Sequence, residues 1–197
     1  MKLLTLTLGA LAALSCADGS SAGPDVQRAL DVYAPGVRLG ARVTDSLHQA
    51  YQLVPMPYVG YVDSTYQGPD GFHWLALNLD VYVEDTRSHT PVWARVESVS
   101  LTADSSAAAA AAEQRLRSLL GATPEEHCYA GPPTGPHLRS LYWAGTSEKG
   151  VLLVIPRGSW EYVAPSATGP QREREAATLT FGAEPVPLDI LPPEPCS

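Results

Sequence analysis

The residue types that could do chemistry in this chain are five histidines, a scatter of serines and a few carboxylates on strand-like segments. His48, His73, His89, His127 and His137 show neither the i, i+4 pair of a helical zinc site nor a His-Cys cluster with metal-ligand spacing. His127-Cys128 is an adjacent pair, and neighbouring side chains on a strand diverge. No Gly-x-Ser-x-Gly elbow is present, and Arg157-Gly158-Ser159-Trp160 lacks a strand-turn-helix context, so nucleophilic serine catalysis has no motif. Asn78 and Asp80 share a strand face and Asp63 precedes Ser64, and carboxylate pairs can act as acid and base. Set among aromatics on a sheet face, they read more simply as hydrogen-bonding surface. Glu125-Glu126 reads as a solvated loop, and no glycine-rich phosphate loop occurs. No catalytic residue, metal site or cofactor is expected. The aromatics carry more: Tyr58, Tyr61, Tyr66, Trp74, Tyr82, Trp93, Tyr142, Trp143, Trp160 and Tyr162 crowd the strand-like regions. Tyr and Trp pack cores, and they also dominate binding hot spots.

The start of the chain has the order of a secretory signal. Lys2 supplies positive charge, an uncharged and mostly apolar run covers 3–14, and small residues lead into Cys16. The run is too short for a spanning helix, which needs about 20 residues. Ala12-Ala13-Leu14-Ser15-Cys16 resembles the lipobox of bacterial lipoproteins, although that family prefers Leu at the third position before the Cys and here Leu14 stands one place later. The resemblance implies a signal peptide over 1–15, diacylglycerol and a further acyl chain (such as palmitate) on Cys16, and membrane attachment through the lipid. Residues 16–24 then read as the lipidated cysteine and a Gly/Ser-rich tether. In double-membrane bacteria an Asp directly after that cysteine favours the inner membrane; here Ala17 comes next, so the outer membrane is the expected address.

Lipidation of Cys16 leaves Cys128 and Cys196, and an even pair in an oxidising compartment is expected to form a disulfide. The bond would staple a proline-stiffened strap, Leu191-Pro192-Pro193-Glu194-Pro195-Cys196, and close a loop of about 70 residues, worth about 4 kcal/mol in chain entropy.

Residues 25–197 have the length and ordinary apolar fraction of one domain, or of two packed halves over about 25–102 and 103–197. Acidic residues outnumber basic ones, 21 to 13, which argues against nucleic acid as a partner and against anionic lipid headgroups bound through bulk charge.

Periodicity gives the elements that position these residues. Val26, Ala29, Leu30 and Tyr33 give a helix closed by Pro35-Gly36; Val43, Leu47, Ala50 and Val54 give a second, stopped by Pro55 and Pro57. A strand is expected over 58–66, a turn over 67–71 and a long strand over 72–84. On that strand Leu75, Leu77, Leu79, Val81 and Val83 alternate with Trp74, Asn78, Asp80 and Tyr82. Residues 92–101 form the next strand, with a bulge where the apolar phase switches between Val96 and Val99. Residues 104–120 are the clearest helix: a cap at Asp104 or Ser105, six consecutive alanines, Gly121 at the end and Pro124 beyond. A hairpin over 138–156 with a central strand at 151–155, a polar loop over 157–175 and a last strand over 177–181 complete the chain.

This pattern predicts an α+β fold, an antiparallel sheet with helices on one face, which a duplicated α-β-β-β unit would build. The element order resembles the tandem fold of the β-lactamase-inhibitor-protein family and the small lipoproteins of the outer-membrane barrel-assembly machinery. Gly36-Val37-Arg38-Leu39-Gly40 with Val43 and Leu47 matches the opening of those modules, and Leu120-Gly121-Ala122-Thr123-Pro124 nearly matches their closing Leu-Gly-x-Pro. The functional expectation is a non-enzymatic envelope lipoprotein that binds an envelope protein through an exposed sheet face carrying Trp74, Asn78, Asp80 and Tyr82. The alternative is a periplasmic hydrolase with dispersed active-site residues.

Overall fold

A computed structural model describes residues 23–56, 60–80, 95–130, 137–147, 149–158, 161–164, 171–174, 176–185 and 193–196, the backbone alone for 161–164 and 171–174. The segment expected to be a signal peptide (1–15), Cys16 and residues 17–22 of the expected tether lie outside these residues, as do Val81, Tyr82 and Val83; Gly23 and Pro24, expected to end the tether, instead cap and open the first helix.

Helix α1 spans Pro24–Tyr33, with proline in the first turn where its missing N–H is harmless. Val26, Ala29, Leu30 and Tyr33 are all essentially buried, as the 3.6-residue period requires. Helix α2, Asp45–Ala50, begins where Thr44 accepts a hydrogen bond from the Leu47 N–H. It is shorter than its hydrophobic spacing suggests. Tyr51 turns into extended backbone and sends its hydroxyl to the Pro35 carbonyl at 2.8 Å. Val54 opens strand β1, Val54–Met56, pairing with Val62 of β2, Gly60–Asp63. Sheet pairing has overridden a weak local helical period.

Strand β2 ends at Asp63, whose carboxylate accepts from both the N–H and the hydroxyl of Thr65, at 2.8 and 2.7 Å, an Asx turn. A 3-10 turn over Pro69–Gly71 leads to β3, Trp74–Leu79. This is shorter than the 72–84 reading: the chain bends at Asp80, and residues 81–94 lie outside the described ones. Strand β4, Val96–Ala103, carries the expected bulge. Asn78 pairs with Ser98 and Leu79 with Val96, so Glu97 is the extra residue, and both Val96 and Val99 are buried.

Helix α3, Ser106–Leu120, is capped by Ser105 accepting from the Ala108 N–H at 3.1 Å and closed by Gly121 in the left-handed region. Strands β5, Glu125–Tyr129, β6, His137–Trp143, and β7, Gly150–Arg157, come next as a meander. Glu125-Glu126 therefore opens a strand and is not a loop. The polar stretch 157–175 is not all loop either, because β8, Glu161–Ala164, pairs with β9, Gln171–Arg174, as a separate hairpin. Strand β10, Ala177–Ala183, is not the last strand: β11, Pro193–Glu194, adds to the β5 edge.

The main sheet has nine antiparallel strands in the order β1-β2-β3-β4-β10-β7-β6-β5-β11. β1 to β4 run in chain order from one edge; β11 is the other edge, and inward from it β5, β6, β7 and β10 run in chain order. The two series meet antiparallel at β4 and β10. Each series comes after a helix or helix pair and has four strands, one more than the expected unit, because Val54–Met56 and Glu125–Tyr129 are strands. Against β7 on its other side, β10 shifts register between Phe181 and Ala183. Gly182 there has φ +79°, and an added Cβ would lie 2.6 Å from the Glu97 carbonyl oxygen of the β4 bulge. The core lies on one side: Leu75, Leu77, Val99, Leu101, Val151, Leu153, Leu179 and Phe181 are fully buried in one cluster with residues of α1 and α3. Among the described residues no helix is long and apolar enough to cross a membrane.

Candidate functional site

The register builds a second, different surface on the outer face of the sheet. Trp74 pairs with Thr102, Thr102 with Thr178, and Thr178 with Val154. One step along, Ala76 pairs with Ser100, Ser100 with Thr180, and Thr180 with Leu152; Asn78 pairs with Ser98. The Asn78 amide donates to the Ser98 hydroxyl at 3.0 Å and to the Ser100 hydroxyl at 3.2 Å, and Ser100 meets the Thr180 hydroxyl at 3.3 Å. Asn78, Ser98, Ser100, Thr102, Thr178 and Thr180 all keep partial exposure. Further along the same face Tyr129, Ser140 and Tyr142 are buried, and among the described residues the Tyr129 hydroxyl has no hydrogen-bond partner.

Of the residues expected to share this face, Trp74 and Asn78 stand on it, half-buried. Asp80 is exposed at the bend; its N–H donates to the Arg95 carbonyl at 3.0 Å and its carboxylate accepts from the Arg95 N–H at 2.8 Å, which closes the end of the β3-β4 pair. Tyr82 lies outside the described residues. Ser98, Ser100, Thr102, Thr178 and Thr180 were not singled out from sequence. Their signal is the period-2 recurrence of hydroxyls between aliphatics along Val96–Ala103 and Ala177–Ala183.

A cleft of about 500 Å³ between α1, α2 and the turn before β3 is lined by Tyr33, Tyr51, Tyr66, Asp63 and Gln52 among others. Its three tyrosine hydroxyls are hydrogen-bonded. Tyr33 donates to Asp70 at 2.7 Å, Tyr66 to the Tyr33 carbonyl and Tyr51 to the Pro35 carbonyl. Burial pushes the Tyr51 phenol up to about 12 and raises those of Tyr33 and Tyr66 further, so all three remain hydrogen-bond donors. Asp70, with φ +58°, is gripped by Arg115 through Nε and Nη2, both at 2.8 Å, and this pairing holds its carboxyl below the usual carboxylate range. The network ties the turn to α1 and α3 and has no group poised for chemistry.

No family model matches the chain, and no curated protein or solved structure matches it.

The third place is the corner where the chain's last strand joins the sheet. Cys128 and Cys196 stand at disulfide-bonding distance, with Cα atoms 5.2 Å apart, as the cysteine count implies. Glu126 lies near both sulfurs and is held by Arg139 Nε at 2.6 Å. Since the sulfurs are joined to each other, this trio has no thiolate to offer a metal. Beside it the Glu194 carboxylate sits between His137 Nδ1, at 2.8 Å, and Arg157 Nη1, at 2.7 Å, at the rim of a cleft of about 470 Å³. His137 belongs to no motif in the sequence. It lies 57 positions from Glu194, and no sequence spacing links the two.

Proposed function

We propose that this chain is an exported, lipid-anchored module of the cell envelope that binds a protein partner through the outer face of β3, β4 and β10 and performs no catalysis of its own. The observation that carries this reading is the row Asn78, Ser98, Ser100 and Thr180, hydrogen-bonded among themselves and partly exposed, on the reverse of a fully buried apolar core. Side-chain hydroxyls and amides held in a rigid row suit recognition, since their donors and acceptors are already ordered before a partner arrives. The lipid anchor, the outer membrane as the address and the envelope protein as partner rest on Cys16 and the segment before it.

A photo-crosslinker at Ser98 should join the chain to one envelope protein, while the same group at exposed Gln114 on α3 should not. The same adduct from both positions, or none from Ser98, overturns the reading. Labelled palmitate should enter the wild-type chain and not Cys16→Ser; incorporation into both removes the anchor.

A further inference from the structure

The β5 edge is closed by a strand that pairs poorly by construction. β11 covers only Cys128 and Tyr129 of the five β5 residues. Of Pro193, Glu194 and Pro195, only Glu194 has a backbone N–H, so the strap can add almost nothing to the ladder. Two other contacts hold it. One is the Cys128–Cys196 bond. The other is the Glu194 carboxylate, clamped by His137 of β6 and Arg157 of β7, with a weak second contact from Arg157 to the Pro195 carbonyl at 3.4 Å. At the strap, Tyr129 is 3% exposed, its hydroxyl has no partner among the described residues, and Pro193, opposite it in register, offers no side-chain acceptor.

We infer that the strap is a disulfide-locked plug on a strand-acceptor edge, and that reduction of Cys128–Cys196 opens the edge to an extended peptide with an acidic residue in the place of Glu194. The His137 imidazole and the Arg157 guanidinium define the ligand: a carboxylate already occupies the position that an incoming strand's side chain would take. A strand without the two prolines supplies backbone N–H groups that the strap lacks, the ordinary driving force of strand addition to an open edge. Glu125, Glu126 and His127 extend the acceptor beyond the two residues the strap covers.

The opening step is thiol–disulfide exchange with a dithiol reductant. The reductant's thiolate attacks Sγ of exposed Cys196, and the Cys128 sulfur leaves as a thiolate. The second thiol of the reductant then closes its own disulfide and releases Cys196 as a thiol, so that the reductant is oxidised and the protein reduced by two electrons.

The test uses the full chain, oxidised and dithiol-reduced, and two fluorescent peptides. One has the strap's own sequence with serine for the cysteine; the other has threonine at the positions of Pro193 and Pro195. The reduced chain should bind the threonine peptide at least about tenfold more tightly than the strap peptide, and the oxidised chain should bind neither. Glutamine for the peptide's glutamate, or His137→Ala with Arg157→Ala in the protein, should weaken binding about tenfold. Equal binding by oxidised and reduced chain, or indifference to the glutamate, overturns the inference. So does loss of the near-UV signal on reduction, since the bond is then a staple of the fold. A Cys196→Ser chain that stays folded and binds the threonine peptide without reductant confirms the plug independently.

Discussion

The two faces of the main sheet are made by the same strands and differ in almost every physical respect. On the helix side Leu75, Leu101, Leu179, Leu153 and Leu141 lie in one cross-strand row, all fully buried. One residue along each strand, the outer row is Ala76, Ser100, Thr180 and Leu152, ending at Tyr142. The first face derives its stability from area removed from water, about 25 cal/mol per Å². The second holds hydroxyls whose hydrogen bonds contribute about 1 kcal/mol each at most, because water offers them nearly as much. Stability and recognition are thus assigned to opposite sides of one set of strands, and substitutions on the two sides should differ in kind.

The largest effect should come from the buried row. Leu101→Ala is expected to cost about 2–5 kcal/mol, since the cavity it leaves is walled by Leu75 and Leu179 and cannot collapse freely. Urea unfolding measures it; a loss below about 1 kcal/mol would mean that the helix side is loosely packed.

Next is the carboxylate that ties the helices to the turn. Asp70→Asn keeps a side chain that tolerates the left-handed backbone while removing the charge that Arg115 grips, and should cost about 1–3 kcal/mol. Because the folded carboxyl is held below its ordinary range, its contribution is complete above that range. It is lost as the pH falls from about 4 through the lowered folded value. Melting temperatures of wild type and Asp70→Asn should therefore differ at pH 7 and converge in acid. A gap that persists at low pH would mean that the charge is not what stabilises the turn.

The outer face should respond weakly. Asn78→Ala removes two hydrogen bonds to partly exposed hydroxyls and should cost about 1 kcal/mol or less. Its larger consequence is expected in partner capture, read by the Ser98 crosslink. If Asn78→Ala destabilised the fold as Leu101→Ala does, the outer face would be a second core and the contrast between the faces would vanish.

What was legible in the sequence was whatever depends on near neighbours. The α3 helix is set by Ser105, the alanine run and Gly121, all within one short segment, and the β4 bulge is visible as a phase slip between Val96 and Val99. The pairing of Cys128 with Cys196 came from counting once Cys16, of the three cysteines, was set aside as the expected lipid site, since the two that remain allow one partner each. The failures have a common cause. Val54 continues a helical stripe locally, yet Val62 offers it a strand partner. Glu125-Glu126 has the composition of a loop, yet Tyr142 and Leu141 pair with it. In each case hydrogen bonds to a distant segment outweighed a local preference worth a few tenths of a kcal/mol.

The functional surfaces divide in the same way. By itself the sequence determined that one face of β3 is aliphatic and the other mixed, because side-chain alternation is a property of the extended chain alone. It could not place Ser98, Ser100 and Thr180 beside Asn78, nor Glu194 between His137 and Arg157. Those juxtapositions exist only once the order β3-β4-β10 and the return of the strap to β5 are settled. Strand order is decided by the packing of whole faces against the helices, an energy summed over the core and written in no single segment.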